Sequence, residues 1–164
     1  MNETTLKHLK HAFAGESQAN RKYLAFAVAA EKEGYASAAR MFRAAAEAET
    51  IHAHAHFKAM NGIGSTAANL QEGVDGETEE FTSMYPPMLA AAEAAGEADA
   101  ARSFKYAMAA ERVHANLYAR ILANLDAKED LTFNLCTVCG NVELSLPEKC
   151  SICNATTRAF KVIA

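Results

Sequence analysis

Three things that this chain of 164 residues lacks narrow its function before any motif is considered. It has no large excess of one charge, because 16 basic side chains face 20 acidic ones, so nothing indicates a nucleic-acid partner. It has no run approaching the roughly 20 apolar residues of a membrane span. Its first residues, Met1 to Lys7, do not have the pattern of a signal peptide. We therefore expect a cytoplasmic protein with neither a membrane nor a nucleic-acid partner.

Apolar residues make up 51% of the chain, and many of them are alanines, which favour helix. Helical spacing and capping residues predict four helices. The first is capped by Thr4 or Thr5 and ends at Gly34, and the second runs from about Ala36 to Met60. The third is capped by Ser65 or Thr66 and is interrupted near Pro86; Gly96 marks the next turn, and the fourth helix runs from there to about Leu125. We predict an all-α four-helix bundle over residues 1–126, a linker over 127–133 and a small metal-binding domain over 134–164.

One helical segment occurs twice, at a constant offset of 62 residues (39 to 101, 49 to 111, 52 to 114). Each copy ends in Glu-x-x-His, first as Glu49 and His52 and again as Glu111 and His114. This spacing places a carboxylate and an imidazole on one helix face about one turn apart. Two such pairs in register are typical of a dimetal site inside a four-helix bundle.

Further glutamates lie at matching depth in the other two predicted helices. Glu16 follows Thr4 by 12 residues (16 − 4), and Glu77 follows Ser65 by the same 12 (77 − 65). Buried carboxylates without cations would be prohibitively unfavourable, so we expect two ions, with iron or manganese preferred over calcium for mixed carboxylate and imidazole ligands. The predicted ligands are Glu16, Glu49, His52, Glu77, Glu80, Glu111 and His114.

Two tyrosines follow these glutamates in the sequence, and Tyr23 shares a helix face with Glu16. Tyr23 follows Glu16 by two turns, and Tyr85 follows Glu80 by five residues. Both are candidates to donate hydrogen bonds to the ligand carboxylates. The simpler interpretation, that they are core aromatic residues, has about even weight.

Cysteine is absent from the first 135 residues, and all four cysteines lie in two C-x-x-C pairs separated by ten residues. Paired knuckles of this kind hold one tetrahedral ion through four thiolates, namely those of Cys136, Cys139, Cys150 and Cys153. The spacing alone does not distinguish a structural zinc ribbon from an iron site. The predicted redox site in the bundle favours iron, because such a site needs an electron supply.

Taken together, these motifs resemble the rubrerythrin family over nearly the whole chain. The resemblance rests on the segment from Phe13 to Ala19, the two Glu-x-x-His pairs, Gly76-Glu77-x-x-Glu80 followed by Met84-Tyr85-Pro86, and the cysteine tail. It implies a ferritin-like di-iron bundle followed by a rubredoxin-like domain. It also implies a homodimeric peroxidase that reduces hydrogen peroxide to water, receives electrons from an unidentified reductase and protects against oxidative stress.

The resemblance further implies particular roles for some ligands. Glu80 and His52 would exchange as ligands to one iron between oxidation states, and Glu49 and Glu111 would bridge the two irons. The tail departs from the family pattern, because Asn141 replaces an aromatic residue and the second knuckle has Ser151 and Asn154 in place of the usual proline and glycine. These changes affect the expected reduction potential and leave zinc as the alternative metal.

Two other functions remain as alternatives. One is a ferroxidase that oxidises ferrous iron, although iron storage needs no rubredoxin-like reductant. The other is a non-enzymatic metal-binding protein whose tail is a structural zinc ribbon, which would show no turnover with peroxide.

Overall fold

The computed structural model describes residues 1–163, which form two compact units. The first is Met1–Gly64 and the second begins at Ser65. Four long helical spans and a small C-terminal region of strands carrying the four cysteines make up the described chain. The predicted fold class is therefore confirmed.

The first unit is a hairpin of two helices, α1 (Glu3–Lys32) and α2 (Ala36–Ala59). The predicted cap at Thr4 or Thr5 is wrong, because the helix begins two residues earlier. Asn2 is the N-cap, and its side chain accepts a hydrogen bond of 2.8 Å from the Thr5 N–H. The predicted stop at Gly34 is correct, since this residue has a φ of +85°, which glycine adopts without strain.

Small side chains bring α1 and α2 close together. The buried positions of this hairpin are all alanines: Ala27, Ala30, Ala39, Ala46 and Ala53. Farther along, Phe13 stacks on Phe57 with ring centroids 5.1 Å apart. The close approach allows side chains from both helices to meet in one polar cluster.

The second unit contains the remaining helices. α3 (Thr66–Glu79) is capped by the side chain of Ser65, as predicted, and is followed by one π-helical segment (Glu80–Met84). α4 (Tyr85–Ala94) continues from that segment, with prolines in its first turn where a missing N–H is tolerated. α5 (Ala98–Ala123) packs against both α3 and α4. The interruption predicted near Pro86 is therefore a π segment that ends directly before the prolines.

The tail follows a short 3-10 turn (Leu125–Ala127) and is built around a three-stranded antiparallel sheet. Its strands are β1 (Phe133–Cys136), β2 (Val142–Glu143) and β3 (Phe160–Ile163), with β1 in the centre. The boundaries predicted at residues 126 and 134 concern independently folding parts and stay predictions.

Among residues 1–163, no helix combines the length and the apolar character needed to cross a membrane.

Candidate metal centres

Three predicted ligands meet within the first unit. Glu16 projects from α1, and Glu49 and His52 project from α2; a ligand atom from each lies within 4.8 Å of the other two. Glu49 Oε2 lies 2.9 Å from His52 Nδ1. The Glu49 side chain is only 18% exposed, whereas that of His52 is 54% exposed. We call Glu16, Glu49 and His52 the first triad.

Asn20 joins the two helices beside this triad. Its Nδ2 donates to the Ala46 carbonyl at 2.7 Å and to Thr50 Oγ1 at 2.9 Å. Asn20 lies one turn after Glu16, and Thr50 is next to Glu49, so the bonds set the depth of one ligand against the other. Sequence reasoning missed this role, although a polar residue on the apolar stripe of α1 was a signal that could have revealed it.

The second unit contains an equivalent cluster. Glu77 comes from α3, and Glu111 and His114 come from α5, again with ligand atoms within 4.8 Å of one another. Glu111 Oε2 lies 2.7 Å from His114 Nδ1, and Glu77 Oε2 lies 3.6 Å from the same nitrogen. All three side chains are mostly buried, with 17% to 22% exposed. We call Glu77, Glu111 and His114 the second triad.

The second triad has the electrostatics of a cation site. Burial raises the pKa of Glu77 to about 7, with further contributions from its hydrogen bond to Glu111 and from the Glu111 charge. Two carboxylates held this close repel each other unless a proton or a cation lies between them. Two carboxylates with one imidazole form a donor set suited to iron, so the residues present fit the expected metal.

Glu80 and Tyr85 lie at the two ends of the π segment. Burial raises the pKa of Glu80, and the charges of Glu77 and Glu79 raise it further. Burial likewise raises the pKa of Tyr85, followed by the charges of Glu80 and Glu111. Glu80 is not among the three groups that meet in the second triad, so the structure brings it near the cluster without making it a member.

Tyr23 lies in an aromatic cluster. Its ring centroid is 6.4 Å from that of Phe26 and 6.1 Å from that of Phe42. These contacts agree with the interpretation of Tyr23 as a core aromatic residue. They do not test its predicted role as a hydrogen-bond donor.

His114 has a second partner, on the cysteine tail. Its Nε2 lies 2.9 Å from the carbonyl oxygen of Gly140, which directly follows Cys139. Because a carbonyl only accepts, Nε2 carries the proton of this bond, and Nδ1 is the nitrogen that faces the carboxylates. A main-chain contact between residues 26 positions apart leaves no signal in the sequence, and it was not predicted.

The four cysteines form one compact cluster. Their Sγ atoms lie within 4.8 Å of one another, with Cys136 to Cys153 at 3.6 Å and Cys139 to Cys150 at 3.5 Å. The predicted four-thiolate site is thus assembled from both knuckles, and all four residues are free thiols.

Main-chain N–H groups in this cluster stabilise the ionised form of one cysteine. Burial acts to raise the pKa of Cys150, but the N–H groups of Cys153 and Ile152 outweigh it and lower the value to about 7. Burial raises the pKa of Cys139 and of Cys153. One thiol is therefore ready to ionise, and a bound cation would favour ionisation of the others, so the donor set fits a single tetrahedral metal ion.

The predicted site residues thus fall into three clusters. Each triad gathers three of the seven expected bundle ligands, Glu80 lies beside the second, and the cysteines form the third. The chain has candidate di-iron carboxylate ligands and a four-cysteine metal site.

Comparison with known proteins identifies relatives along the whole chain. The model of the family described as Rubrerythrin matches residues 7–122. Nigerythrin of Nitratidesulfovibrio vulgaris is 38% identical over 92% of this chain and 82% of its own length. Rubrerythrin-2 of Clostridium acetobutylicum is 35% identical over 98% of this chain and 97% of its own length. Rubrerythrin of Porphyromonas gingivalis is 36% identical over 91% and 84%.

Solved structures show the same relationship. A partially reduced nigerythrin covers 99% of this chain with 35% identity and a TM-score of 0.60, and the alignment includes 88% of that protein. A fully reduced, all-ferrous nigerythrin matches equally well, with a TM-score of 0.60. With both triads and the cysteine cluster in place, the chain belongs to the rubrerythrin family, a family of di-iron oxidative-stress proteins.

Proposed function

We propose that this protein is a non-haem di-iron peroxidase that reduces hydrogen peroxide to water. The main observation in its favour is the repeated geometry of the two triads, each with two carboxylates and one imidazole Nδ1 at a common point. Each triad offers carboxylate and imidazole donors of the kind used by dimetal carboxylate centres, and Glu80 is an additional carboxylate beside the second triad. Bound iron would supply Lewis acidity and the electrons that peroxide reduction needs.

The protein's own side chains would deliver the protons that peroxide reduction needs. The pKa of about 7 for Glu77, raised first by burial, applies to the metal-free protein, because bound iron would hold this side chain as the ionised carboxylate. Tyr85 stays protonated at neutral pH, because burial and the charge of Glu80 raise its pKa, and it can therefore donate a hydrogen bond beside Glu77 and Glu111. Tyr23 is the corresponding candidate in the first unit.

We propose that iron in the four-cysteine site returns electrons to the dimetal centre. The hydrogen bond from His114 Nε2 to the Gly140 carbonyl supports this route, because it joins a predicted ligand to the first cysteine knuckle through 2.9 Å. A soluble reductase of unknown identity would supply the electrons. Since the four thiols must stay reduced to bind metal, we place the protein in the cytoplasm.

We also propose that the protein is a homodimer. Several large apolar side chains of the first unit are substantially exposed in the single chain, among them Phe26, Met41 and Ile51, at 46%, 67% and 69%. A second copy of the chain would remove this surface from water. Light scattering should give about twice the chain mass of 17.6 kDa, and a mass near 17.6 kDa would contradict the dimer.

Stopped-flow absorption would test the peroxidase proposal. The iron-loaded protein, reduced without oxygen, is mixed with hydrogen peroxide while the thiolate-to-iron charge-transfer bands are followed. Their rapid return, with two electrons consumed per peroxide, is the expected result. Bands that return with dioxygen but not with peroxide would favour a ferroxidase, and the absence of both bands and peroxide consumption would favour a zinc-binding protein.

A matched pair of variants would test whether peroxide turnover depends on Glu80. Glu80→Ala should abolish peroxide turnover and leave the helical circular dichroism unchanged. Glu79→Ala changes an exposed neighbour and should retain turnover. Equal turnover in the two variants would contradict the role proposed for Glu80.

A further inference from the structure

Asn141 connects the two cysteine knuckles of the tail. It is completely buried, its main-chain carbonyl accepts a 2.8 Å bond from the Cys136 N–H, and its own N–H donates to the Cys139 thiol. Its side-chain Nδ2 lies 3.6 Å from Cys150 Sγ, within hydrogen-bonding range for sulfur. A single residue therefore contacts cysteines of both knuckles.

Two neighbours fix the direction of the Asn141 amide. Nδ2 donates to Glu143 Oε1 at 2.8 Å and lies 3.1 Å from Ser151 Oγ, which itself donates to Glu143 Oε1 at 2.8 Å. An ionised carboxylate only accepts hydrogen bonds, so the amide must turn Nδ2 toward it and toward the sulfur. Asn141 and Ser151 are two of the three departures from the family pattern, and the structure places them in contact.

Within residues 1–163, this orientation of the amide leaves its oxygen, Asn141 Oδ1, buried and without a hydrogen bond. An unsatisfied buried acceptor destabilises a fold, because the group has lost its hydrogen bonds to water. A leucine of similar size would avoid that cost but would lose the contacts of Nδ2 with Glu143, Ser151 and Cys150.

Hydrogen bonds to metal-bound sulfur change the reduction potential. When a four-thiolate iron site takes up one electron, its negative charge grows by one, and no bond is made or broken. An N–H donor at a thiolate stabilises the more negative state and raises the potential. Glu143 opposes this effect with its own charge, but it is partly exposed to solvent, which screens that charge.

We propose that Asn141, oriented by Glu143 and Ser151, raises the reduction potential of iron in the four-cysteine site. This makes it a positioning residue for electron transfer. The inference rests on the proposed function, because it requires iron rather than zinc in the tail.

Spectroelectrochemical titration of the full-length, iron-loaded protein tests the proposal, with the thiolate-to-ferric absorption as readout. At a fixed applied potential, Asn141→Leu should lower the ratio of reduced to oxidised tail iron about tenfold, which is a shift of about 59 mV for one electron. Ser151→Ala, which loosens the amide without removing it, should lower the ratio by a smaller factor. Peroxide turnover is not needed for this measurement.

Asn134→Leu is the matched control. Asn134 is also a buried amide of the tail, at 5% exposure, but its Nδ2 donates to the main-chain carbonyl of Glu143 at 3.2 Å. Its replacement should leave the ratio within about twofold of wild type, since its side-chain hydrogen bond ends on oxygen rather than sulfur.

Each result has a defined meaning. Equal shifts in the Asn141 and Asn134 variants, or no shift in Asn141→Leu, would overturn the proposal. If Asn141→Leu does not fold, Ser151→Ala tests the proposal instead, because the Ser151 side chain is exposed and its loss should not unfold the tail. An unchanged ratio of reduced to oxidised tail iron in Ser151→Ala would overturn the proposal. Absence of ferric–thiolate absorption in the wild type would overturn this proposal together with the iron tail of the proposed function.

Discussion

In the second triad, the carboxylates of Glu77 and Glu111 repel each other when no cation is bound. Glu77, Glu111 and His114 bring two carboxylates to one imidazole, and the pKa of Glu77 rises to about 7 through burial and then through Glu111. The raised value means that the folded, metal-free protein holds a proton that the unfolded chain would release at lower pH.

The stability of the metal-free protein should therefore decrease as pH rises. Below pH 4.5, the ordinary value for Glu77, its carboxyl is protonated in both states and the stabilising contribution is fully present. Between pH 4.5 and about 7 the unfolded chain releases the proton first, so this contribution is lost as pH rises. Urea unfolding followed at 222 nm in the presence of a chelator would measure the decrease.

Glu77→Gln should flatten this pH dependence, and Glu79→Gln, on the exposed side of the same helix, should not. If the two variants show the same slope between pH 5 and 7.5, the effect does not arise from Glu77.

Replacing Tyr85 should slow proton delivery. Its hydroxyl is partly buried near Glu80, Glu111 and Glu77. Tyr85→Phe should lower the rate of peroxide turnover by about 100-fold, the lower end of what a positioned proton donor contributes. Steady-state peroxide consumption by the iron-loaded enzyme measures this, with Tyr35→Phe, a 63% exposed tyrosine, as the control expected to keep full activity. Full activity in Tyr85→Phe would remove Tyr85 from the mechanism.

Site residues were predictable where the sequence repeats itself, and not where the contact is made by the main chain. The duplicated Glu-x-x-His pairs could be recognised because helical periodicity converts spacing directly into a shared face. The contact of His114 with Gly140 could not, because it depends on how the tail packs against α5. The cysteine cluster was predictable because C-x-x-C spacing is itself a property of the metal geometry.

At the scale of elements, one polar side chain among alanines joins α1 to α2, in addition to the Phe13–Phe57 stack and the Arg43–Glu31 ion pair. Asn20 crosses from α1 to the Ala46 carbonyl and to Thr50 on α2. Alanine packing by itself constrains sliding only weakly, since small side chains interlock little. These bonds are satisfied only when Asn20 lies opposite Ala46 and Thr50, so they favour this alignment of the two helices.

Asn20→Leu should destabilise the metal-free protein by about 1–3 kcal/mol, because it removes partly buried hydrogen bonds. Gln18→Ala breaks only an exposed contact with Lys22 and should change the free energy of unfolding by less than about 0.5 kcal/mol. Urea denaturation compares the two, and similar losses would mean that Asn20 has no special role between the helices.

Some helix ends could be predicted from local sequence rules, and others could not. Gly34 and Ser65 were correctly placed because a positive φ and a capping hydroxyl are local requirements. The π segment was not predicted, since it depends on tertiary packing against α5. In this segment the Tyr85 N–H bonds to the Glu80 carbonyl, five residues earlier. Glu80 and Tyr85 therefore share a helix face, which residues five apart in an ordinary α-helix do not.

At the scale of the whole molecule, the tail depends on its metal more than the helices do. Only Asn134, Cys136, Asn141 and Cys150 are buried among the described tail residues, and two of these are metal-site cysteines. A segment of this size cannot build an adequate apolar core alone. The helices have their own packed interfaces.

Removing the tail metal should therefore unfold the tail selectively. In Cys150→Ser the backbone amide resonances of residues 133–163 should collapse to the narrow range of an unfolded chain, while those of α1 keep their positions. A two-dimensional amide correlation spectrum measures both regions in one sample, with metal-loaded wild type as the control. A dispersed tail spectrum in the variant would show that the tail folds without its metal.

The bond between His114 and Gly140 has a consequence for the symmetry of the protein. The two Glu-x-x-His motifs read as copies, yet the imidazole of His114 is engaged at both nitrogens and mostly buried, whereas His52 meets Glu49 through Nδ1 and is 54% exposed. The two copies of the motif therefore differ in surroundings: one imidazole is tied to the tail through its second nitrogen, and the other is more than half open to solvent.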